Sequence, residues 1–169
     1  MGGSIEVDSK PGVGSTFTMK IPFEICTDVV EPEKPEDHEA VRLDGMKILL
    51  VEDNSLNMEI ATFMVETAGA VATTAANGRE AVEIYRSHPA GSFDVILMDV
   101  MMPVMDGLEA TRTIRNLSRP DASKIPILAM TANAFTEDIL TVKRAGMNDH
   151  LAKPLDTTLV IQTIARYIK

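Results

Sequence analysis

The chain has 169 residues, 45% apolar and 24% charged, with a net charge of −9, which is room for one cored domain and an appendage. The acidic balance argues against a nucleic-acid surface, no apolar run nears the roughly 20 residues of a membrane span, and the start does not resemble a signal peptide. A single cysteine, Cys26, has no partner for an internal disulfide, so the cytoplasm is the expected compartment.

In chain order, Ile5 and Val7, then Phe17, Met19 and Ile21, alternate with polar residues around a Lys10–Gly14 loop. Residues 1–23 therefore predict a β-hairpin with one apolar face. Two strands are marginal alone, so the hairpin belongs to a larger sheet. From Glu24 to Asp44, eight acidic residues stand against Lys34 and Arg42, with Pro32 and Pro35 among them. Such a stretch predicts an extended, solvated linker over 24–45.

Residues 46–169 alternate two patterns and contain no internal repeat. Continuous apolar runs at Lys47–Val51, Val95–Met98 and Ile127–Met130, with weaker ones at Ala70–Thr74 and His150–Ala152, suit strands buried on both faces of a parallel sheet. Between them lie amphipathic stretches. Leu56, Ile60, Phe63 and Met64 recur at helical spacing, with Gly69 closing that helix; Gly146 ends a later one, Ile139 and Val142 give that helix a thin apolar stripe, and Val160, Ile164 and Ile168 repeat in the last. Five strand–helix units in alternation imply a doubly wound α/β sandwich. Ligands of such folds bind at the carboxyl ends of the strands.

Those ends carry polar groups. The first strand runs into Glu52 and Asp53, the third ends at Asp99, the fourth at Thr131 and the fifth at Lys153 before Pro154. Three carboxylates gathered there repel one another unless a cation joins them, and hard oxygen ligands suit Mg²⁺ better than zinc. A hydroxyl and an ammonium group aimed at the same spot complement a phosphoryl group in transfer, and a carboxylate serves as the nucleophile for an acyl phosphate. Taken singly, each residue has a plainer role: Asn54 or Ser55 caps a helix, and a lone Thr or Lys-Pro is structural. The full set, each member at the end of its own strand, favours the chemistry. His38 and His88 have no partners that suggest a site and read as solvent-exposed.

These residues also carry a resemblance. Ile48 to Asn54, Asp94 to Pro103, Met105-Asp106-Gly107, Met130-Thr131-Ala132-Asn133-Ala134 and Ala152-Lys153-Pro154, in that order and spacing, resemble the response-regulator receiver family over residues 46–169. The resemblance implies a flavodoxin-like (βα)5 fold with parallel strand order 2-1-3-4-5. It implies Asp99 as phosphoacceptor, Asp53 as direct Mg²⁺ ligand, Glu52 acting through metal-bound water and the Met101 backbone carbonyl completing the metal site. Thr131 would be the switch hydroxyl, and Lys153 would hold the phosphoryl oxygens beside a cis Lys153–Pro154 bond. Three residues before that lysine many members carry Tyr or Phe as a second switch; here it is His150, which reads equally as a switch or as a surface residue.

Gly2 to Val7, Gly12-Val13-Gly14-Ser15-Thr16-Phe17 and Ile21-Pro22 look like the last strands of a histidine-kinase ATP-binding domain. The two resemblances together imply a hybrid histidine kinase cut inside that domain, with a phosphohistidine donor and a histidine kinase or histidine-phosphotransfer protein as partner. Its output face would be the fourth helix, fifth strand and fifth helix. The rival classes are a docking domain that is never phosphorylated and an aspartyl phosphohydrolase. The latter usually places a second Asp two residues after the first, where this chain has Met101. A flavin site would need a phosphate-cradling loop where Glu52-Asp53-Asn54 stands.

Overall fold

The computed structural model describes residues 2–23, 41–132 and 136–167, and the side chains of 136–139 lie outside that description. Most of the acidic linker, with Cys26 and His38, therefore falls outside the described residues, as do Asn133, Ala134, the Ile139 side chain and Ile168. The chain divides into two units.

The first unit holds the hairpin, β1 (Ser4–Lys10) and β2 (Gly14–Lys20), antiparallel with Ile5 opposite Met19 and Val7 opposite Phe17. Directly paired residues share a face, so these four form one apolar face. All four are exposed.

The second unit is a five-stranded parallel sheet of β3 (Lys47–Val51), β4 (Val71–Ala75), β5 (Val95–Asp99), β6 (Ile127–Thr131) and β7 (Asp149–Ala152). Its order is β4-β3-β5-β6-β7, which is the expected 2-1-3-4-5. The helices are α1 (Ser55–Thr67), α2 (Gly78–Ser87), α3 (Gly107–Arg115), α4 (Thr136–Ala145) and α5 (Thr157–Tyr167). Successive strand side chains point to opposite faces. Leu49, Val51, Ile96 and Met98 accordingly join Tyr85, Ile114 and Val142 in one core, while Ile48, Leu50, Leu97 and Leu128 join Val65, Val160 and Ile164 in the other. This double coverage explains why β3, β5 and β6 read as unbroken apolar runs. Gly69 and Gly146, with φ of +99° and +98°, end α1 and α4 in the left-handed conformation glycine tolerates. The packed body starts ahead of Met46: Leu43 is buried and its N–H donates to the Ala68 carbonyl at 2.8 Å.

One helix departs from the sequence pattern. The stripe of Leu56, Ile60 and Phe63 faces outward, at 63%, 44% and 71% exposure. Instead α1 buries Ala61 and Val65, with Met58 packed at the margin. A small residue lets the helix backbone approach the sheet closely, and the larger apolar residues are left on the flank.

Candidate functional site

Glu52 leaves β3 with its N–H held by the Ala75 carbonyl at 3.1 Å, and Asp99 closes β5; both are buried, at 3% and 5% exposure. One oxygen each of Glu52, Asp53 and Asp99 lie within 4.8 Å of one another, with Asp53 open to solvent. Lys153 arrives from β7, and its Nζ donates to Glu52 Oε2 at 2.6 Å and Asp99 Oδ2 at 2.8 Å. Its backbone N–H donates to the Thr131 carbonyl at 2.8 Å, joining two strand exits, and Thr131 itself is buried. The Lys153–Pro154 bond is cis, as expected. The Met101 N–H donates to Asp99 Oδ1 at 3.3 Å and so orients the carboxylate.

Local chemistry sets these positions. Asn54 caps α1 by accepting from the N–H groups of Leu56 and Asn57, so a capping role and an adjacent acidic site coexist. At the start of α3, a side chain on Gly107 would collide with the Asp99 carbonyl oxygen, so only glycine lets the helix begin that close to the strand end.

Three carboxylates face one ammonium group. Burial pushes the Asp99 carboxyl above the ordinary range, against the pull of its hydrogen bond to Lys153. Burial alone would lower Lys153, but its bonds to Asp99 and Glu52 outweigh that and raise it, so it stays charged. The surplus of negative charge, carried by hard oxygens with no thiolate or imidazole in the cluster, fits a Mg²⁺ ion.

Five of the expected residues, Glu52, Asp53, Asp99, Thr131 and Lys153, thus stand at one edge of the sheet, and Met101 reaches Asp99 there through its N–H, a different backbone group from the carbonyl expected to face the metal. His150 lies on β7 with Nδ1 3.5 Å from Asp149 Oδ1, in a group that also holds the Tyr167 hydroxyl and the Arg166 guanidinium, 3.2 and 3.6 Å from Asp149 Oδ2. His88 is exposed as read, yet it has partners: Nδ1 lies 2.8 Å from the Ile84 carbonyl oxygen and the ring packs 5.2 Å from that of Phe93. One site residue escaped the sequence reading. Asn57 Nδ2 donates to Glu52 Oε1 at 3.0 Å; the available signal was an amide in the first turn of the helix that follows the acidic pair.

A family model described as the response regulator receiver domain matches residues 48–165. The chain is 34% identical over 168 residues to the aerobic respiration control sensor protein ArcB of Escherichia coli (strain K12), an alignment covering 99% of this chain and 21% of that protein. It therefore spans about a fifth of that relative's length. Among solved structures it resembles the receiver domain of the sensor histidine kinase PA1611 of Pseudomonas aeruginosa PAO1, which has magnesium in its active-site cleft. Identity is 39%, the TM-score 0.65, and the match covers 73% of this chain and 97% of that one. It also resembles a chain of the complex between the Saccharomyces cerevisiae histidine phosphotransfer protein Ypd1 and the receiver domain of Ssk1, at 28% identity and a TM-score of 0.65, covering 73% and 89%. With the sheet order, the strand-end residues and these likenesses in agreement, the chain belongs to the response regulator receiver domain family.

Proposed function

We propose that this receiver acts in phosphorelay by accepting a phosphoryl group from a phosphohistidine onto Asp99. The carrying observation is the buried Asp99 carboxylate, held by the Met101 N–H and Lys153 within a three-carboxylate cluster. An Asp99 oxygen attacks phosphorus as the phosphorus–nitrogen bond breaks, and the imidazole leaves with the bonding pair. Asp53 and Asp99 would hold Mg²⁺ directly, Glu52 through water, with the Met101 carbonyl completing the set. When bound, the ion neutralises the phosphoryl oxygens. Lys153 turns from the carboxylates to those oxygens, and the Thr131 hydroxyl moves toward them, which biases a two-state equilibrium at the output face. His150, tied to Asp149, would follow that change at β7.

The outward stripe of α1 supports a histidine-phosphotransfer partner. Leu56, Ile60 and Phe63 are exposed, and Ile60 lines a cleft of about 370 Å³ with Asn57, Lys153, Pro154 and Leu155. An apolar face running into the cleft that holds Lys153 suits an amphipathic helix carrying the phosphohistidine. Residues 1–23 would be the end of a kinase ATP-binding domain, 24–45 a linker whose last residues from Leu43 pack onto the receiver, and 46–169 the receiver of a hybrid kinase. The apolar hairpin face and the likeness to a sensor protein along nearly the whole chain support that division. The cytoplasm would be its compartment; among the described residues no helix is long and apolar enough to cross a membrane.

The test is intact-protein mass after incubation with acetyl phosphate, with and without Mg²⁺, for wild type and Asp99→Asn. One added phosphoryl group that requires both Mg²⁺ and Asp99 is expected. No adduct with several donors would leave a docking domain as the better reading.

A further inference from the structure

Glu52 is 3% exposed, and each of its carboxylate oxygens has a different partner. Oε2 takes the Lys153 ammonium at 2.6 Å and Oε1 takes the Asn57 amide at 3.0 Å. The two differ in kind. Lys153 is shared, since it also reaches Asp99 at 2.8 Å, and it neutralises charge. Asn57 holds Glu52 without neutralising it. Its own backbone is pinned by the Asn54 cap, which accepts the Asn57 N–H at 3.1 Å. A donor on the first turn of α1 is therefore aimed back at the sheet edge by the cap that starts the helix.

We infer that Asn57 is a positioning residue that keeps Glu52 oriented for metal-bound water, both while Lys153 bridges the carboxylates and once it has turned away. This rests on the proposed metal-dependent phosphorylation and adds a residue to it. While Lys153 bridges the two buried carboxylates, Glu52 is held at both ends. A phosphoryl group on Asp99 draws the ammonium off, and one oxygen of Glu52 loses its partner. The Asn57 amide then alone fixes the carboxylate plane, leaving Oε2 directed at the pocket. A neutral donor serves this purpose where a second cation would cancel the charge that attracts Mg²⁺. Groups that orient metal-site carboxylates commonly set affinity by about ten-fold or more.

The experiment measures Mg²⁺ dissociation constants by calorimetry and metal-free melting temperatures for wild type, Asn57→Ala, Asn57→Leu and Asn57→Gln. Alanine and leucine remove the donor, leucine keeping the volume, and glutamine restores an amide on a longer stem. The expected result is a dissociation constant raised about ten-fold in the alanine and leucine variants and recovered in part by glutamine. A purely structural role would lower the melting temperature and leave the folded protein's affinity unchanged, and that outcome overturns the inference. Wild type that binds no Mg²⁺ would overturn the metal-dependent reading with it, whereas wild-type binding with unchanged variants overturns the role of Asn57 alone. Should alanine fail to fold, the leucine and glutamine pair decides the matter.

Discussion

The two ends of the parallel sheet handle charge in opposite ways. At the end where the strands begin, Arg119 is 12% exposed in its side chain and fully engaged. It donates to both oxygens of Asp121 at 2.6 and 2.8 Å, to the carbonyls of Tyr85, His88 and Pro89, and stacks 4.1 Å from the centroid of the Tyr85 ring. Nearby, Arg115 donates to Gly146, Ala122 and Asn148. At the other end, a single Lys153 is divided between two buried carboxylates with a third beside them. The first end spends its ion pairs on joining loops. The second is left with surplus negative charge, which on the proposed reading would draw in a cation, and the cation in turn would accept the phosphoryl oxygens. Charges that are each paired hold neighbouring loops in place and are costly to break singly, whereas a cluster short of one partner is poised for function.

The largest effect that would sharpen this contrast is at the satisfied end. Arg119→Ala strips Asp121 of its cation and three carbonyls of a donor, and should cost about 3 kcal/mol in urea unfolding. It should leave the Mg²⁺ affinity of the folded protein unchanged, and a matching loss of affinity would break the separation of the two ends. Asp121→Asn should cost less, about 2 kcal/mol at pH 7. The Arg119 guanidinium and the Gly91 N–H hold the Asp121 carboxyl far below the usual carboxylate range. Its stabilisation is thus complete above about pH 4 and is lost as pH falls toward the folded value. Wild type and variant should converge in strong acid, which a pH series of denaturation curves would read.

At the charged end the sign reverses. Asp99 has a raised folded value, so its contribution is present below about pH 4 and lost as pH rises through that value. Metal-free Asp99→Asn should therefore be more stable than wild type at pH 7 in urea unfolding. The gain should shrink as pH falls. A less stable variant would mean that Lys153 fully compensates Asp99, and the contrast between the two ends would fail.

Much of the fold was legible because the sheet is covered on both faces. Runs such as Ile127–Met130 have no polar member to mislead, and Gly69 and Gly146 mark helix ends through a conformation that few other residues adopt. The site was legible for a related reason: in this topology every strand exit lies on one edge, so the residue that ends a strand is also a residue of the cleft. Helix α1 was misread because hydropathy weighs Leu56, Ile60 and Phe63 above Ala61, while packing favours the small residue that lets the backbone approach.

From the sequence by itself came the order of elements, the edge that carries the site, and the identity of Glu52, Asp53, Asp99, Thr131 and Lys153, since apolar runs and their polar ends are local properties of the chain. Tertiary structure alone decided which face of α1 is buried, that Asn57 turns back onto Glu52, and that the Tyr167 hydroxyl reaches Asp149 beside His150. It also decided that Lys153 bridges Asp99 to Glu52, which stands 101 positions earlier. Contacts of that kind depend on strand register and on helix-to-sheet distance, and neither is encoded in any single window of residues.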